Sequence, residues 1–142
     1  MTMRIVAALL CASLLVTGCS SPAEMDPAGP FKAIASVPEL MRALTIPSSD
    51  AIFKAQGETP QDDAGWATLQ TKALILAESG NLLMIGDRAR DAGTWRKDAR
   101  ALIDAAGAAV NAARARNVEQ FGQAADAIYN ACEGCHKDYL PK

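Results

Sequence analysis

The chain of 142 residues contains a single histidine, and aromatic residues make up only 5% of it. Sites that need two or more imidazoles within one chain are therefore excluded, such as a haem held by two histidines or a three-histidine zinc centre. An excess of basic residues is also missing, since 14 Lys and Arg are outnumbered by 16 Asp and Glu. Proteins that bind nucleic acid need such an excess to neutralise phosphates, so we expect no nucleic-acid partner.

Runs of Val, Ile and Thr are equally scarce, which disfavours a β-sheet protein. Hydrophobic residues make up 50% of the chain, and most of them are Ala and Leu, which are strong helix formers. From Val37 onward the apolar residues recur at intervals of three and four, a pattern typical of helices with one buried stripe. The sequence therefore predicts an all-α fold.

The first of four predicted helices begins after Ser36, a suitable N-cap, and has Pro38 in its first turn. Pro47 is expected to kink or break this helix midway, because proline has no backbone N–H to donate. Gly57 and Pro60 are expected to end the helix.

Three further helices are predicted at about 62–85, 94–116 and 118–139. Short loops between helices of this length favour an antiparallel up-down-up-down four-helix bundle. The last helix has an unbroken heptad stripe, which predicts that the apolar residues of the stripe are buried. The stripe consists of Val118, Phe121, Ala125, Ile128, Cys132, Cys135 and Tyr139.

The N-terminal segment has the pattern of an export signal. Arg4 precedes residues 5–16, which are apolar apart from one serine, and this run is shorter than the roughly 20 residues of a membrane span. The Val-Thr-Gly that precedes Cys19 looks like a bacterial lipobox, so residues 1–18 are predicted to be a lipoprotein signal peptide and Cys19 to be lipidated. An ordinary signal peptide with an incidental cysteine is the alternative.

Residues 19–35 are predicted to form a flexible tether, because prolines and a glycine alternate there with serines and acidic residues. Lipid on Cys19 would anchor the protein to a bacterial membrane on the periplasmic side. Ser20 after the lipidated cysteine resembles the sorting signal of enterobacterial lipoproteins, which favours the outer membrane.

Residues 132–136, Cys-Glu-Gly-Cys-His, match C-x-x-C-H, the attachment motif of c-type haem. Positions i, i+3 and i+4 lie on one face of a helix, so the two thiols and the imidazole point the same way. The thiols of Cys132 and Cys135 can form thioether bonds to two vinyl groups of one porphyrin, and His136 can bind its iron as the proximal ligand. The predicted cofactor is one covalent haem c.

Both cysteines belong to the buried stripe of the last helix, so we expect the haem to lie inside the bundle. Other uses of the motif are weaker. A thioredoxin-like site needs a strand before its C-x-x-C, and a structural zinc site needs four ligands, whereas the processed chain offers two thiols and one imidazole. A disulfide between Cys132 and Cys135 would leave His136 without a role.

The motif close to the C-terminus, the four-helix pattern and the signal peptide together resemble class II c-type cytochromes, the cytochrome c′ group. The resemblance covers about residues 37–142, and Cys132, Cys135 and His136 are its specific part. It implies either five-coordinate iron, as in cytochromes c′ proper, or low-spin iron with a methionine from the first helix on the distal side. Members of this class are often dimers, so the resemblance also points to a homodimer.

Met41 on the first helix is the predicted distal ligand, because the resemblance assigns that role to the first helix and thioether sulfur suits haem iron. Packing in the core is its alternative role. Met84, at the end of the second helix, is the less favoured ligand, and Trp95 is expected to pack in the core. The basic residues near the same end of the bundle could pair with haem propionates, form a docking patch or belong to a solvated loop; they are Arg88, Arg90, Arg96 and Lys97.

The choice of distal ligand separates two functions. With His136 and Met41 on the iron, no position is open for a substrate, which favours a membrane-anchored electron-transfer protein that exchanges electrons with other redox proteins. With His136 alone, the open position would bind NO or CO. An enzyme such as a peroxidase is not expected, because it would need a distal base and the chain has no second histidine.

Overall fold

The structure, a computed structural model, describes residues 31–140. All regular secondary structure in this range is helical and no strand occurs among these residues, so the prediction of an all-α fold is confirmed. The predicted signal peptide, Cys19 and residues 19–30 of the predicted tether lie outside the described residues. Within the described range, no helix is both long enough and apolar enough to cross a membrane.

Four long helices follow one another in this part of the chain. Helix α1 spans 37–57 in three parts, an α-helical turn at Val37–Leu40, a π-helical turn at Met41–Thr45 and an α-helix at Ile46–Gly57. A short 3₁₀ turn at Gly86–Arg88 lies between the second and third helices. The remaining helices are α2 at Asp63–Leu82, α3 at Thr94–Ala115 and α4 at Val118–Tyr139.

Local signals in the sequence determine where the helices begin. Before α1, the backbone N–H and the hydroxyl of Ser36 both donate to the carboxylate of Glu39, at 2.8 and 2.6 Å, which confirms Ser36 as the residue before the helix. The hydroxyl bond, followed by the backbone bond, lowers the pKa of Glu39. Asn117 caps α4, because its side chain accepts from the backbone N–H of Gln120 at 2.9 Å.

Pro47 widens α1 without ending it. Because proline has no backbone N–H, the regular pattern of helical bonds is interrupted at this point. The N–H of Ile46 donates to the carbonyl of Met41, five residues earlier, and this bond closes the π-helical turn at Met41–Thr45. The predicted kink or break is therefore a local widening of a continuous helix, a feature often found at functional sites.

The four helices share one hydrophobic core. Helix α2 packs along α3 and α3 along α4, while α1 contacts both α2 and α4. Helices α2 and α3 approach each other closely, since a Cβ atom on Gly80 would lie 2.6 Å from Cγ1 of Ile103. Every helix contributes at least one completely buried side chain to the core, among them Ile52, Leu76, Ala106, Ala125 and Ile128.

The buried stripe of α4 is shorter than predicted. Its middle part, from Phe121 to Ile128, is buried, but Val118 is 55% exposed, so the predicted burial of Val118 is wrong. Val118 is the first residue of α4, where the neighbouring helices cover it poorly. Cys132 and Cys135 at the other end are half-buried, because α4 borders a cavity there.

Candidate haem site

An apolar cavity of about 200 Å³ lies where the start of α1, the start of α3 and the end of α4 meet. Its volume is about 800 Å³ when the space open to solvent at its mouth is included. These helix ends are far apart in sequence, and folding brings them together at the motif. Helix α1 contributes Met41, Thr45, Ile46, Ser49 and Phe53 to the walls, α3 contributes Trp95, Asp98, Ala99 and Leu102, and α4 contributes Tyr129, Ala131, Cys132, Cys135 and His136.

The C-x-x-C-H motif occupies the last turns of α4 and forms one wall of this cavity. Cys132, Cys135 and His136 all line it, as positions i, i+3 and i+4 of a helix allow. Both cysteines are free thiols and half-buried, whereas His136 is exposed. The structure thus brings two thiols and the imidazole to one cavity, and the expected full burial of the cysteines is wrong.

Both thiols have raised pKa values. Burial raises the pKa of Cys132, and burial followed by the nearby Asp98 carboxylate raises the pKa of Cys135 to about 11. A redox-active C-x-x-C instead depends on a thiol whose pKa is lowered, often by the N-terminus of a helix. These cysteines lie near a helix C-terminus, whose negative partial charge disfavours a thiolate. The site therefore disfavours a thioredoxin-like interpretation.

The two methionines considered as distal ligands differ in position. Met41 is half-buried and lines the cavity on the wall that α1 contributes. Met84 packs against the core but is not among the residues that line this cavity in the described part of the chain. It follows the C-terminus of α2, where its backbone N–H donates to the carbonyl of Asn81 at 3.1 Å. The structure therefore brings Met41 to the motif and leaves Met84 outside the cavity.

Two buried oxygen atoms of the cavity walls make no hydrogen bond to any residue of the range 31–140. They are Oγ1 of Thr45 and Oδ2 of Asp98. Buried polar atoms are nearly always paired, so both atoms mark positions where a bound group can supply a partner. Sequence reasoning missed both residues. Helical spacing could have indicated them, because Thr45 lies four residues after Met41 and Asp98 three residues after Trp95.

A hydrogen-bonded cluster joins the start of α3 to the end of α4 beside the motif. Asp91 accepts from the backbone N–H of Trp95 at 3.0 Å and from the hydroxyl of Tyr139. The rings of Trp95 and Tyr139 meet edge to face, with their centroids 4.9 Å apart. Trp95 is buried and its Nε1–H donates to the carbonyl of Leu83 at 2.8 Å, so its predicted packing in the core is confirmed.

The same cluster shifts the pKa values of its two titratable members. The bond to the Asp91 carboxylate raises the pKa of Tyr139 to about 12, because the bond requires the protonated phenol. The bond from Tyr139, aided by backbone N–H groups, lowers the pKa of Asp91. At neutral pH the phenol is therefore protonated and the carboxylate charged, which is the state that holds the two helix ends together.

Arg88 has a structural role that none of the sequence-based interpretations included. Its side chain is buried, with Nε–H donating to the carbonyl of Ala35 at 2.8 Å and an Nη1–H donating to that of Leu82 at 2.9 Å. These bonds hold the segment before α1 against the end of α2. The interpretation of Arg88 as a solvated side chain is wrong, because its side chain is buried, whereas pairing with a propionate or a docking partner stays a prediction.

The other three basic residues of this region are exposed. The guanidinium of Arg90 lies 5.8 Å from the centre of the Trp95 ring, within the range of a cation–π contact. Arg96 and Lys97 are exposed in the first turn of α3. For these three residues, pairing with a propionate or a partner protein stays a prediction.

The residues at the cavity fit a covalently attached haem. Two thiols, an imidazole and a thioether are the groups that c-type haem uses for attachment and ligation. Among residues 31–140, no group of three or more His, Cys, Asp and Glu side chains is arranged to hold a metal ion. Iron in a porphyrin needs only axial ligands from the protein.

The size of the cavity limits how deeply such a group would lie. Pockets that bury drug-sized ligands have volumes of about 300–1,000 Å³, and the enclosed part of this cavity is smaller. A second, more open depression shares Tyr129, Cys132 and His136 with the cavity and is completed by Glu133 and Lys137. Cys132 and His136, which would hold a porphyrin, thus border both the cavity and this open depression, and the expected position of the haem inside the bundle stays a prediction.

No protein-family model matches the chain, and neither does any curated protein or solved structure. The resemblance to class II cytochromes therefore depends on the motif and on the pattern of helices.

Proposed function

We propose that this protein is a membrane-anchored c-type cytochrome that carries single electrons. In this proposal, Cys132 and Cys135 bind one haem c through thioether bonds, and His136 is the proximal ligand of its iron. The observation that carries the proposal is the position of all three groups at one apolar cavity, on the last turns of α4. When bound, the haem supplies an iron centre that is oxidised and reduced by one electron.

Met41 is the proposed distal ligand. Its position in the wall of the same cavity supports this role, and the π-helical turn at Met41–Thr45 presents it there. If His136 and Met41 both held the iron, no open position would remain for a substrate, and the haem would supply electron transfer alone. A thioether ligand favours ferrous iron, which raises the reduction potential.

The arrangement of the four helices and the association of two chains are also part of the proposal. We infer that α1 to α4 form an antiparallel up-down-up-down four-helix bundle of the cytochrome c′ type, which is supported by the contacts of α1 with both α2 and α4. Two such chains would associate as a homodimer. This last step depends on the family resemblance alone.

The proposed location follows from the N-terminal sequence. Residues 1–18 would be removed as a lipoprotein signal peptide, and lipid on Cys19 would hold the protein at a bacterial membrane on the periplasmic side. Ser20 favours the outer membrane. An anchored electron carrier would meet other redox proteins at the membrane, and these are its proposed partners.

Binding of NO or CO by five-coordinate haem is the second candidate function. The hydroxyl of Thr45 favours it, because this buried donor lines the cavity beside Met41 and polar donors on the distal side control ligand binding to haem. In this case Met41 packs in the cavity wall without binding iron. An enzymatic role is not proposed.

The absorption spectrum of the holoprotein separates the two functions. Ligation by Met41 predicts a low-spin ferric spectrum with a weak sulfur-to-iron band in the far red. A five-coordinate iron predicts a high-spin spectrum and direct binding of CO to the ferrous protein. A high-spin wild-type spectrum would therefore contradict electron transfer through His/Met ligation and support gas binding.

Two methionine variants identify the ligand. Met41→Ala should convert the low-spin spectrum into a high-spin spectrum and allow the ferrous protein to bind CO. Met84→Ala is the matched control and should leave the spectrum unchanged, because Met84 is not part of the cavity wall. A spectrum that changes in Met84→Ala but not in Met41→Ala would show that Met41 is not the ligand.

A further inference from the structure

The hydroxyl of Thr45 is buried without a partner. Thr45 is 4% exposed, and its Oγ1 forms no hydrogen bond within the described range. An unpaired buried hydroxyl destabilises the folded state. Valine would have nearly the same shape without this cost. The position of a threonine here therefore needs a reason other than packing.

Threonines in the regular helix α2 satisfy their hydroxyls with the backbone. Thr68 donates to the carbonyl of Ala64 at 2.9 Å, and Thr71 donates to that of Ala67 at 3.0 Å, in each case four residues earlier. Thr45 has no such bond, because it ends a π-helical turn in which the path of the backbone is wider. The widening that Pro47 imposes on α1 thus leaves this hydroxyl available.

The available hydroxyl belongs to the wall of the haem cavity. Thr45 and Met41 line the same cavity from the same turn of α1, opposite the turns of α4 that carry Cys132 and His136. Ser49, the other hydroxyl of this wall, already donates to the carbonyl of Ile46 at 3.1 Å. Of these two hydroxyls on α1, that of Thr45 is the one without a partner among residues 31–140.

We propose that Thr45 is a positioning residue that donates a hydrogen bond to the acceptor atom bound on the distal side of the haem iron. This inference rests on the proposed function. The acceptor is the Met41 sulfur when that sulfur binds iron, and a small ligand when the position is open. In both cases the hydroxyl orients the ligand and withdraws electron density from it.

The first test is the reduction potential of the holoprotein with Thr45→Val. Loss of the hydrogen bond makes the Met41 sulfur a stronger donor to ferric iron, so the potential should fall. The expected change in the equilibrium constant with a reference couple is roughly two- to tenfold, the range for one hydrogen bond. Thr45→Ser keeps the hydroxyl and should restore the potential. A purely structural role would change the melting temperature of the variant without this pattern.

The second test uses holoprotein with Met41→Ala, in which the distal position is open. Adding Thr45→Val should weaken binding of cyanide to the ferric protein by about tenfold, because the hydrogen bond to an anionic acceptor is lost. Carbon monoxide is a weak acceptor, so its binding to the ferrous protein should change little. An effect on the potential identifies the Met41 sulfur as the acceptor, while an effect on cyanide alone identifies a small ligand.

The inference and the proposed function fail in different ways. Wild-type protein that carries no haem after export with a cytochrome maturation system would overturn both. Wild-type protein that carries haem, with Thr45→Val unchanged in both potential and cyanide affinity, would overturn the role of Thr45 alone. A change that Thr45→Ser does not reverse would also overturn it, because a repacked cavity and not the hydroxyl would then be the cause.

Discussion

The middle of the four helices and the end that carries the C-x-x-C-H motif differ in how completely their side chains are buried. In the middle, Leu76 of α2 and Ile128 of α4 are 0% exposed and pack in the shared core. At the motif end, Cys132 and Cys135 are half-buried, and the buried hydroxyl of Thr45 has no partner among the described residues. Packed side chains of the helices fill the middle, whereas a cavity lies between the helices at the motif end.

The open region is nevertheless held in place. The bond from Tyr139 to Asp91 ties the end of α4 to the start of α3. The buried ring of Trp95 on α3 packs against the ring of Tyr139 on α4. Because the walls are fixed in this way, the cavity is a shaped site and not the frayed end of a bundle. In the proposed function, haem binds at this motif end.

The largest effect is expected when the motif end loses its thiols. Cys132→Ser combined with Cys135→Ser should abolish covalent haem attachment completely, because a serine hydroxyl cannot form the thioether bond. A denaturing gel stained for haem measures this directly. Each single serine variant is the control and should keep one attachment point. A double variant that still stains like the wild type would contradict the role of both cysteines.

A truncation in the middle should affect stability and not haem attachment. Leu76→Ala should lower the free energy of unfolding by about 2–5 kcal/mol, because it leaves a cavity in a fully packed region. Urea denaturation followed by circular dichroism measures the change. Leu74→Ala on the same helix is the matched control, since Leu74 is 44% exposed, and its effect should stay within about 0.5 kcal/mol. Similar losses in both variants would contradict the packed middle.

Two glycines test how closely α2 and α3 approach each other. Gly80→Ala should destabilise the fold by about 1–3 kcal/mol, because the new Cβ would lie 2.6 Å from Cγ1 of Ile103. A Cβ added to Gly107 on α3 meets no atom of another helix within 4 Å in the range 31–140, so Gly107→Ala should stabilise the fold by about 0.5–1 kcal/mol, as expected for alanine in a helix. Thermal unfolding of both variants should show shifts of opposite sign, and equal signs would contradict the close contact.

The smallest effect is expected at the bond between Tyr139 and Asp91. An unfolded tyrosine has a pKa of about 10, and the bond raises the pKa of Tyr139 to about 12. The stabilisation is therefore present below about pH 10 and is lost as pH rises from about 10 to about 12. Tyr139→Phe should be less stable than the wild type at pH 8, and the difference should shrink toward pH 12. A difference in the urea midpoint that does not depend on pH would contradict this.

The helices could be predicted from sequence because their signals are local. The stripe spacing gave the bounds of α2, α3 and α4 closely, and Ser36 marked the start of α1. Pro47 was a weaker guide, since a missing N–H can be accommodated by a wider turn as well as by a break. Val118 was misplaced because periodicity identifies a face of a helix but not where the neighbouring helices end.

The C-x-x-C-H motif could be identified from the sequence, but the contacts of the residues around it could not be predicted. C-x-x-C-H identified the thiols and the imidazole, and the order of the helices brought Met41 near them. Helical spacing could have placed Thr45 and Asp98 on the faces of Met41 and Trp95, but the lack of a partner for their oxygens depends on contacts between helices. Arg88 was misinterpreted for a similar reason, because its partners belong to the segment before α1 and to the end of α2.

The central claim is that the last helix holds a porphyrin through two covalent bonds. Mass spectrometry of the denatured wild-type protein, produced with a cytochrome maturation system, tests it most directly. We expect one species heavier than the processed and lipidated polypeptide by a single haem, with neither Cys132 nor Cys135 open to alkylation. A polypeptide without added mass, in which both thiols react with the alkylating reagent, would contradict the claim.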